Sequence, residues 1–171
     1  MTTQARHARF SDMASDVKAR LDALRVFADC FCLPNSFHAN GDQSKTGKSR
    51  FTYRPFTLEG NFAFAAGLQE MLLQSHHDLI RVFPAVPPDW KDVRFERLRA
   101  EGAFLVSGEM KAGRVREVRI FSEKGGMVRL LNPMKGGRFT ARGFALGTGA
   151  ASAPVLEIET RPGTEIVLSV E

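Results

Sequence analysis

Two cysteines, a small charge imbalance and no long apolar run are the shortages that stand out among 171 residues. Two cysteines are too few for a disulfide scaffold. Cys30 and Cys32 also lie two positions apart at the end of an apparent helix, where such side chains point in different directions. A zinc site needs more ligands, and His38 is the only nearby candidate, so buried structural thiols are expected. No metal or organic cofactor is implied. The longest uncharged apolar run falls far short of the roughly 18 residues that a membrane span requires, so no membrane partner is expected. Met1 is followed by a polar stretch holding Arg6, His7 and Arg9 with no apolar core behind it, and no secretory signal is recognisable there. The net charge of +5 comes from 24 basic and 19 acidic residues, and they interleave, as in Arg94-Phe95-Glu96-Arg97. Nucleic-acid binding needs a clustered basic face with aromatic side chains beside it, so no nucleic-acid partner is expected either.

What is present is an ordinary globular mixture, 43% hydrophobic and 25% charged, enough for one domain or two small ones. The character changes near residue 80. Before it, Val17, Leu21, Leu24 and Ala28 recur at helical spacing, with Ser15 as a plausible N-cap and Pro34 closing the segment. A second helix is expected from about Gly60 to Ser75, with Phe62, Ala66, Gln69 and Leu73 on one face and Phe64, Leu68 and Leu72 on another. A helix that is apolar on more than one side is normally buried by several neighbours. Between the helices runs a long polar connection, 35–57. Its Gly41–Lys48 stretch only superficially resembles a phosphate-binding loop, because the Walker spacing is absent.

After residue 80 the signals are those of strands: Ile80–Phe83, Val93–Phe95, Phe104–Val106, Val115–Ile120 and Met127–Leu131, separated by glycine-bearing turns. Leu156–Thr160 and Ile166–Val170 alternate across Arg161-Pro162-Gly163-Thr164 and read as a closing hairpin. Residues 143–153 read as a loop. Short strands at this spacing indicate an antiparallel β-sandwich, so the fold class is α+β. Two helices cannot surround the second one. Either residues 1–79 are the end of a larger helical domain ahead of a sandwich at 80–171, or both helices pack on the sandwich.

The stretch Arg54-Pro55-Phe56-Thr57-Leu58-Glu59-Gly60-Asn61-Phe62, followed by Ala66-Gly67-Leu68-Gln69-Glu70-Met71-Leu72-Leu73-Gln74-Ser75, resembles family-95 glycoside hydrolases, the inverting 1,2-α-L-fucosidases and their α-L-galactoside-cleaving relatives. Members read Pro-Pro-Phe-Gln-Ile-Asp-Gly-Asn-Phe-Gly and then Ala-Gly-Ile-x-Glu-Met-Leu-Leu-Gln-Ser. The likeness continues through Pro84, Pro88-Asp89-Trp90, Leu98–Gly102 with Phe104, and Lys111-Ala112-Gly113, spanning about residues 54–131. It implies the last helices of an (α/α)6-type barrel followed by a C-terminal sandwich, an oligosaccharide as partner, and an enzyme that is often exported. It also implies that the family's catalytic acid and paired asparagines lie upstream, in a missing N-terminal part, with no counterpart here. The family's activating aspartate falls on Glu59. Glutamate for aspartate there, Ala63 for glycine, and Tyr53 where histidine is frequent mark a divergent branch with another substrate or one that binds without cleaving.

Inverting hydrolysis needs a protonated acid at the leaving oxygen and a base across the ring, about 6.5–9.5 Å away. A carboxylate at a helix N-terminus is kept ionised by the local amides and suits the base side, although Glu59 there can equally serve the helix alone. Asn61 can bind a sugar hydroxyl or the first helical turn. Tyr53 and Arg54 line a pocket or sit as packing and surface charge. His38, with Asn40 and Asp42, covers a cleft or belongs to a surface loop. His76 and His77 take no catalytic role, and Trp90 stacks on a sugar or packs beside Pro87 and Pro88. The expectation for function is the C-terminal part of an α-L-fucosidase-like glycosidase, inactive alone. The alternative is a stand-alone carbohydrate-binding or interaction module.

Overall fold

The structure, a computed structural model, describes residues 3–51, 54–134, 139–144 and 152–170. The chain divides into two units, Met1–Gln69 and Glu70–Glu171.

The first unit carries helix α1 (Thr3–Phe31) and most of α2 (Leu58–Leu72). Helix α1 starts well before Ser15, which is therefore interior and not a cap. Strong helix formers, Gln4-Ala5-Arg6 and Ala8-Arg9, extend it toward the N-terminus. Its inward stripe is also shifted, because Ala28 is exposed and Phe27 is half-buried in its place. Helix α2 lays Phe64 and Gly67 against this stripe and Gly60 against the His38 ring. Phe27 and Phe64 stack with ring centroids 5.2 Å apart, and a Cβ on Gly67 would stand 3.1 Å from a Leu24 methyl. The spacing 60, 64, 67 is one helical face. Of the two apolar faces of α2, the described residues cover this one. On the other, Phe62 is 67% exposed and Ala66 is exposed, as are Ala63 and Ala65 beside them, while Leu73 at its end is buried in the core of the second unit.

The second unit is built from short strands. β1 (Leu73–Gln74) and β2 (Arg81–Val82) pair with each other. β3 (Val93–Ala100), β4 (Phe104–Lys111) and β5 (Arg114–Ser122) form an antiparallel meander. β6 (Gly126–Leu131), β7 (Thr140–Arg142), β8 (Val155–Thr160) and β9 (Glu165–Ser169) complete the set. The large sheet has the order β3-β4-β5-β9-β7, and β6 pairs with β8 in a small one. Ile80 joins β6 through a parallel bridge to Leu130. Val106, Val118, Ile120, Ile166 and Leu168 from the large sheet and Val128, Leu130, Leu156 and Ile158 from the small one make a single core. The arrangement is consistent with a β-sandwich.

Turn chemistry explains the meander. Ala112 and Gly113 both have positive φ, as a two-residue turn closing the Lys111↔Arg114 pair requires. β3, the edge strand, is bulged between Phe95 and Leu98. The Ser107 hydroxyl accepts the Arg97 amide there at 3.0 Å, and arginines and Glu96 line the strand, which blunts the edge.

The closing hairpin is overturned. β8 pairs with β6 and β9 with β5 and β7, so residues 161–164 cross between sheets. Thr164 O accepts the Ser122 amide at 2.9 Å, Ser122 O accepts the Gly163 amide at 2.8 Å, and the Thr160 and Ser122 hydroxyls are hydrogen-bonded at 2.9 Å. The crossover is thus stapled to the end of β5. The short strand β7 has no counterpart in the sequence reading, since three residues are too few to show alternation. Of the loop expected over 143–153, residues 145–151 lie outside the described residues.

Candidate functional site

The sequence-selected residues converge on the loop between the helices and on the entry to α2. Ala39 and Phe56 bridge, Asn40 donates its amide to Pro55 O at 3.1 Å, and Asp42 donates its own to Phe51 O at 2.8 Å. The loop is therefore a ladder-like excursion rather than an unstructured connection. Its base is tied to the C-terminal end of α1, where Cys30 O accepts the Gln43 amide at 2.7 Å and Phe31 O accepts the Ala39 amide at 2.8 Å.

His38 and Asn61 are brought together. The Asn61 side chain accepts the His38 amide at 2.8 Å and donates to Ser36 O at 2.8 Å, so it clamps the loop to the first turns of α2. Of the roles expected for it, bonding the first helical turn gives way to this tie to the loop. The His38 ring stacks on Phe27 at 5.1 Å, and its Nδ1 lies 2.7 Å from Thr57 Oγ1 and 3.1 Å from Thr57 O. A carbonyl only accepts, so the proton is assigned to Nδ1. Thr57 and Gly60 are the site residues the sequence reading missed. A Cβ on Gly60 would meet the His38 ring at 2.5 Å, which is why glycine stands there. A glycine in the first turn of a helix, preceded by threonine, was the visible signal.

Gly60→Ala gives an expected outcome with a telling sign. On propensity alone, alanine stabilises a helix interior by roughly 0.5–1 kcal/mol. Here the added methyl must push the His38 ring off Thr57, so the substitution lowers the melting temperature. Calorimetry that shows a rise removes the His38 clasp.

Glu59 is exposed in the first turn of α2 and takes no hydrogen bond or ion pair among the described residues. Arg54 is exposed and donates from Nε to Gln43 Oε1 at 3.0 Å. Tyr53 lies outside the described residues.

Asp42 does not join His38 and Asn40 in one cluster. Its buried carboxylate accepts the Ser44 hydroxyl at 2.5 Å and the amides of Ser44 (2.9 Å), Lys45 (3.1 Å) and Lys48 (2.8 Å). These donors, the Ser44 hydroxyl first, hold its carboxyl below the usual carboxylate range against the opposing effect of desolvation. The amides that would cradle a phosphate are thus turned onto an internal anion. Cys30 is buried and free, and desolvation pushes the thiol of the free Cys32 up. His76 pairs with Glu70 at 2.9 Å, and Trp90 is half-buried with its amide donated to Pro87 O.

In the second unit a groove of about 250 Å³ lies over the outer face of the large sheet, lined by Arg94, Ser107, Glu109, Glu117 and Arg119 among others. Its charges satisfy one another: Arg119 pairs with Glu117 at 3.1 Å, and Arg94 with Glu96. That is the pattern of a solvated sheet face.

A helical segment with one unsheltered apolar face, followed by a two-sheet antiparallel unit, is the class of architecture observed. Residues 74–168, more than half of the chain, match the family described as glycoside hydrolase family 95, C-terminal domain. The chain belongs to that family. It is 32% identical over 104 residues to Alpha-L-fucosidase 2 from Arabidopsis thaliana, a match covering 60% of this chain and 12% of that protein. The chain thus spans about an eighth of the length of this curated relative. Among solved structures it is similar to a GH127 beta-L-arabinofuranosidase from Geobacillus stearothermophilus T6, with a TM-score of 0.36, 16% identity, and coverage of 64% of this chain and 18% of that one. That score is too low to define a common fold. The family match begins at Gln74, so Glu59, Asn61, Arg54 and His38 stand outside it.

Proposed function

We propose that this chain is the C-terminal part of a family-95-type glycosidase that removes a terminal α-linked sugar from an oligosaccharide with inversion, residues 1–79 ending its helical catalytic domain and 80–171 forming its sandwich. The carrying observation is the open face of α2, where Phe62 is 67% exposed and Leu58 45% exposed beside the exposed carboxylate of Glu59. Apolar side chains of this size flanking an unpartnered carboxylate favour a surface that other helices cover. Family membership supports the glycan chemistry.

In this reading Glu59, in the first turn of α2, stands on the base side of the reaction. The His38–Asn61–Thr57 clamp fixes the turn from which Glu59 projects. The general acid comes from helices outside this chain, and an inverting reaction requires both groups, about 6.5–9.5 Å apart. The chain alone is therefore inert.

Assays with aryl α-L-fucoside and aryl α-L-galactoside test this directly. No turnover is expected from the 171-residue chain, and robust turnover overturns the reading. In the protein assembled with its upstream helices, Glu59→Gln lowers the rate on the order of a hundredfold, the scale set by a misplaced or missing catalytic contact. An unchanged rate removes Glu59 from the mechanism.

A further inference from the structure

Basic and acidic residues interleave along most of this sequence, and one segment departs from that balance. On the strands, Arg99 pairs with Glu123, Lys111 with Glu109, Arg119 with Glu117 and Arg129 with Glu157. In residues 1–69, by contrast, segment 41–54 holds Lys45, Lys48, Arg50 and Arg54 against Asp42 alone. The rest of that unit balances five basic against five acidic residues. All four cations are exposed and none has an acidic partner among the described residues, while Asp42 is buried and engaged by the loop's own donors.

Arg54 is more than a surface charge, because it is oriented. Gln43 is pinned through its amide to Cys30 O at 2.7 Å and through its side-chain nitrogen to Gly41 O at 2.8 Å. Its oxygen is thereby turned to receive Arg54 Nε at 3.0 Å, which leaves the terminal nitrogens of the guanidinium without a partner among the described residues. A planar fork held this way matches a carboxylate in two parallel hydrogen bonds. Pre-orientation of the fork removes part of the ordering cost of binding.

We propose that residues 41–51 together with Arg54 are a recognition rim for the carboxylate of an acidic glycan, a uronic-acid-bearing oligosaccharide. Arg54 forms the bidentate contact, and Lys45, Lys48 and Arg50 supply the surrounding positive field. The inference rests on the glycosidase reading for the choice of a glycan and on the loop for its acidity. The segment runs directly into Pro55–Glu59, so the rim and Glu59 occupy the two ends of one short stretch.

The test is a titration of the 171-residue chain with a glucuronic-acid-terminated oligosaccharide and with its carboxyl-reduced counterpart, followed through backbone amide NMR shifts. Saturable binding is expected, with shifts concentrated at residues 43–50 and 54, weakening at least tenfold for the reduced sugar and for Arg54→Ala. Gln43→Ala, which releases the guanidinium, weakens it as well, and Arg54→Lys does not restore it, since an ammonium lacks the fork. Unperturbed amide shifts at His38 and along α2 certify that the first unit of each variant folds. Equal binding of the two sugars, indifference to Arg54→Ala, or equal displacement by a short single-stranded DNA at matched charge overturns the proposal. If a neutral aryl α-L-fucoside binds and the uronate does not, the acidic rim falls and the glycosidase reading stands. The Glu59→Gln comparison judges that reading separately.

Discussion

Ile120→Ala is expected to destabilise the sandwich by about 2–5 kcal/mol, enough to lower its melting temperature by roughly 10 °C or more. Ile120 is fully buried on β5, between Val106 of β4 and Ile166 of β9 in register, and belongs to the one core that both sheets share. Truncation removes apolar area and leaves a cavity that neighbours on flat strands cannot collapse to fill, so both costs are felt. The comparison is Met127→Ala on β6, where the side chain is 54% exposed and a change within about 0.5 kcal/mol is expected. Chemical denaturation measures both. Should Ile120→Ala cost less than about 1 kcal/mol, the two sheets do not close on a common interior.

Alternation made these strands visible in the sequence, and the same alternation hid their pairing. Leu156, Ile158 and Thr160 point inward from β8, and nothing in that period says whether the next strand lies beside it or across the core. The distinction is carried by Ser122 and Thr160, two small hydroxyl residues whose hydrogen bond joins the end of β5 to the crossover, and such a pair has no local signature. One hint was present. Ile166, Val167 and Leu168 are three apolar residues in a row, and all three are buried, as suits a strand inside the five-stranded sheet rather than the arm of a half-exposed hairpin.

The same division holds at the candidate site. The carboxylate at the start of α2 is read straight from the sequence, because a helix start, a motif and a residue type coincide at Glu59. Asn61 and His38 lie 23 positions apart and meet only because the loop folds back on α2. Their residue types pointed to sugar contacts, and the hydrogen bonds that tie them to the loop and to each other could not be read from spacing. The open face of α2 was legible as a surplus of apolar positions, since Phe62 and Phe64 cannot both face α1.

Asp42→Asn is expected to release the loop while leaving the sandwich unchanged. Asparagine keeps the shape but loses the charge and sets an NH₂ group where one carboxylate oxygen now accepts the Lys48 amide or the donors on the other side. Several amide bonds onto one ion are lost together, so hydrogen-exchange protection at Ser44, Lys45 and Lys48 falls by roughly a hundredfold. The pH dependence carries the sign. A carboxyl group whose folded value lies below its unfolded value of about 3.9 contributes stability above that unfolded value, and the contribution is lost as pH falls through the folded one. The native loop is thus held at neutral pH, loosens as pH falls below the ordinary aspartate range, and does not loosen as pH rises toward 8 on account of this group. The amide shifts of residues 44, 45 and 48 report the transition, with a midpoint below the ordinary aspartate value in the native chain and no transition in Asp42→Asn. A midpoint at or above that value would mean that the Ser44 hydroxyl and the loop amides do not favour the ionised form. In that event Asp42 would not be the organising centre of the segment that presents Lys45, Lys48 and Arg54.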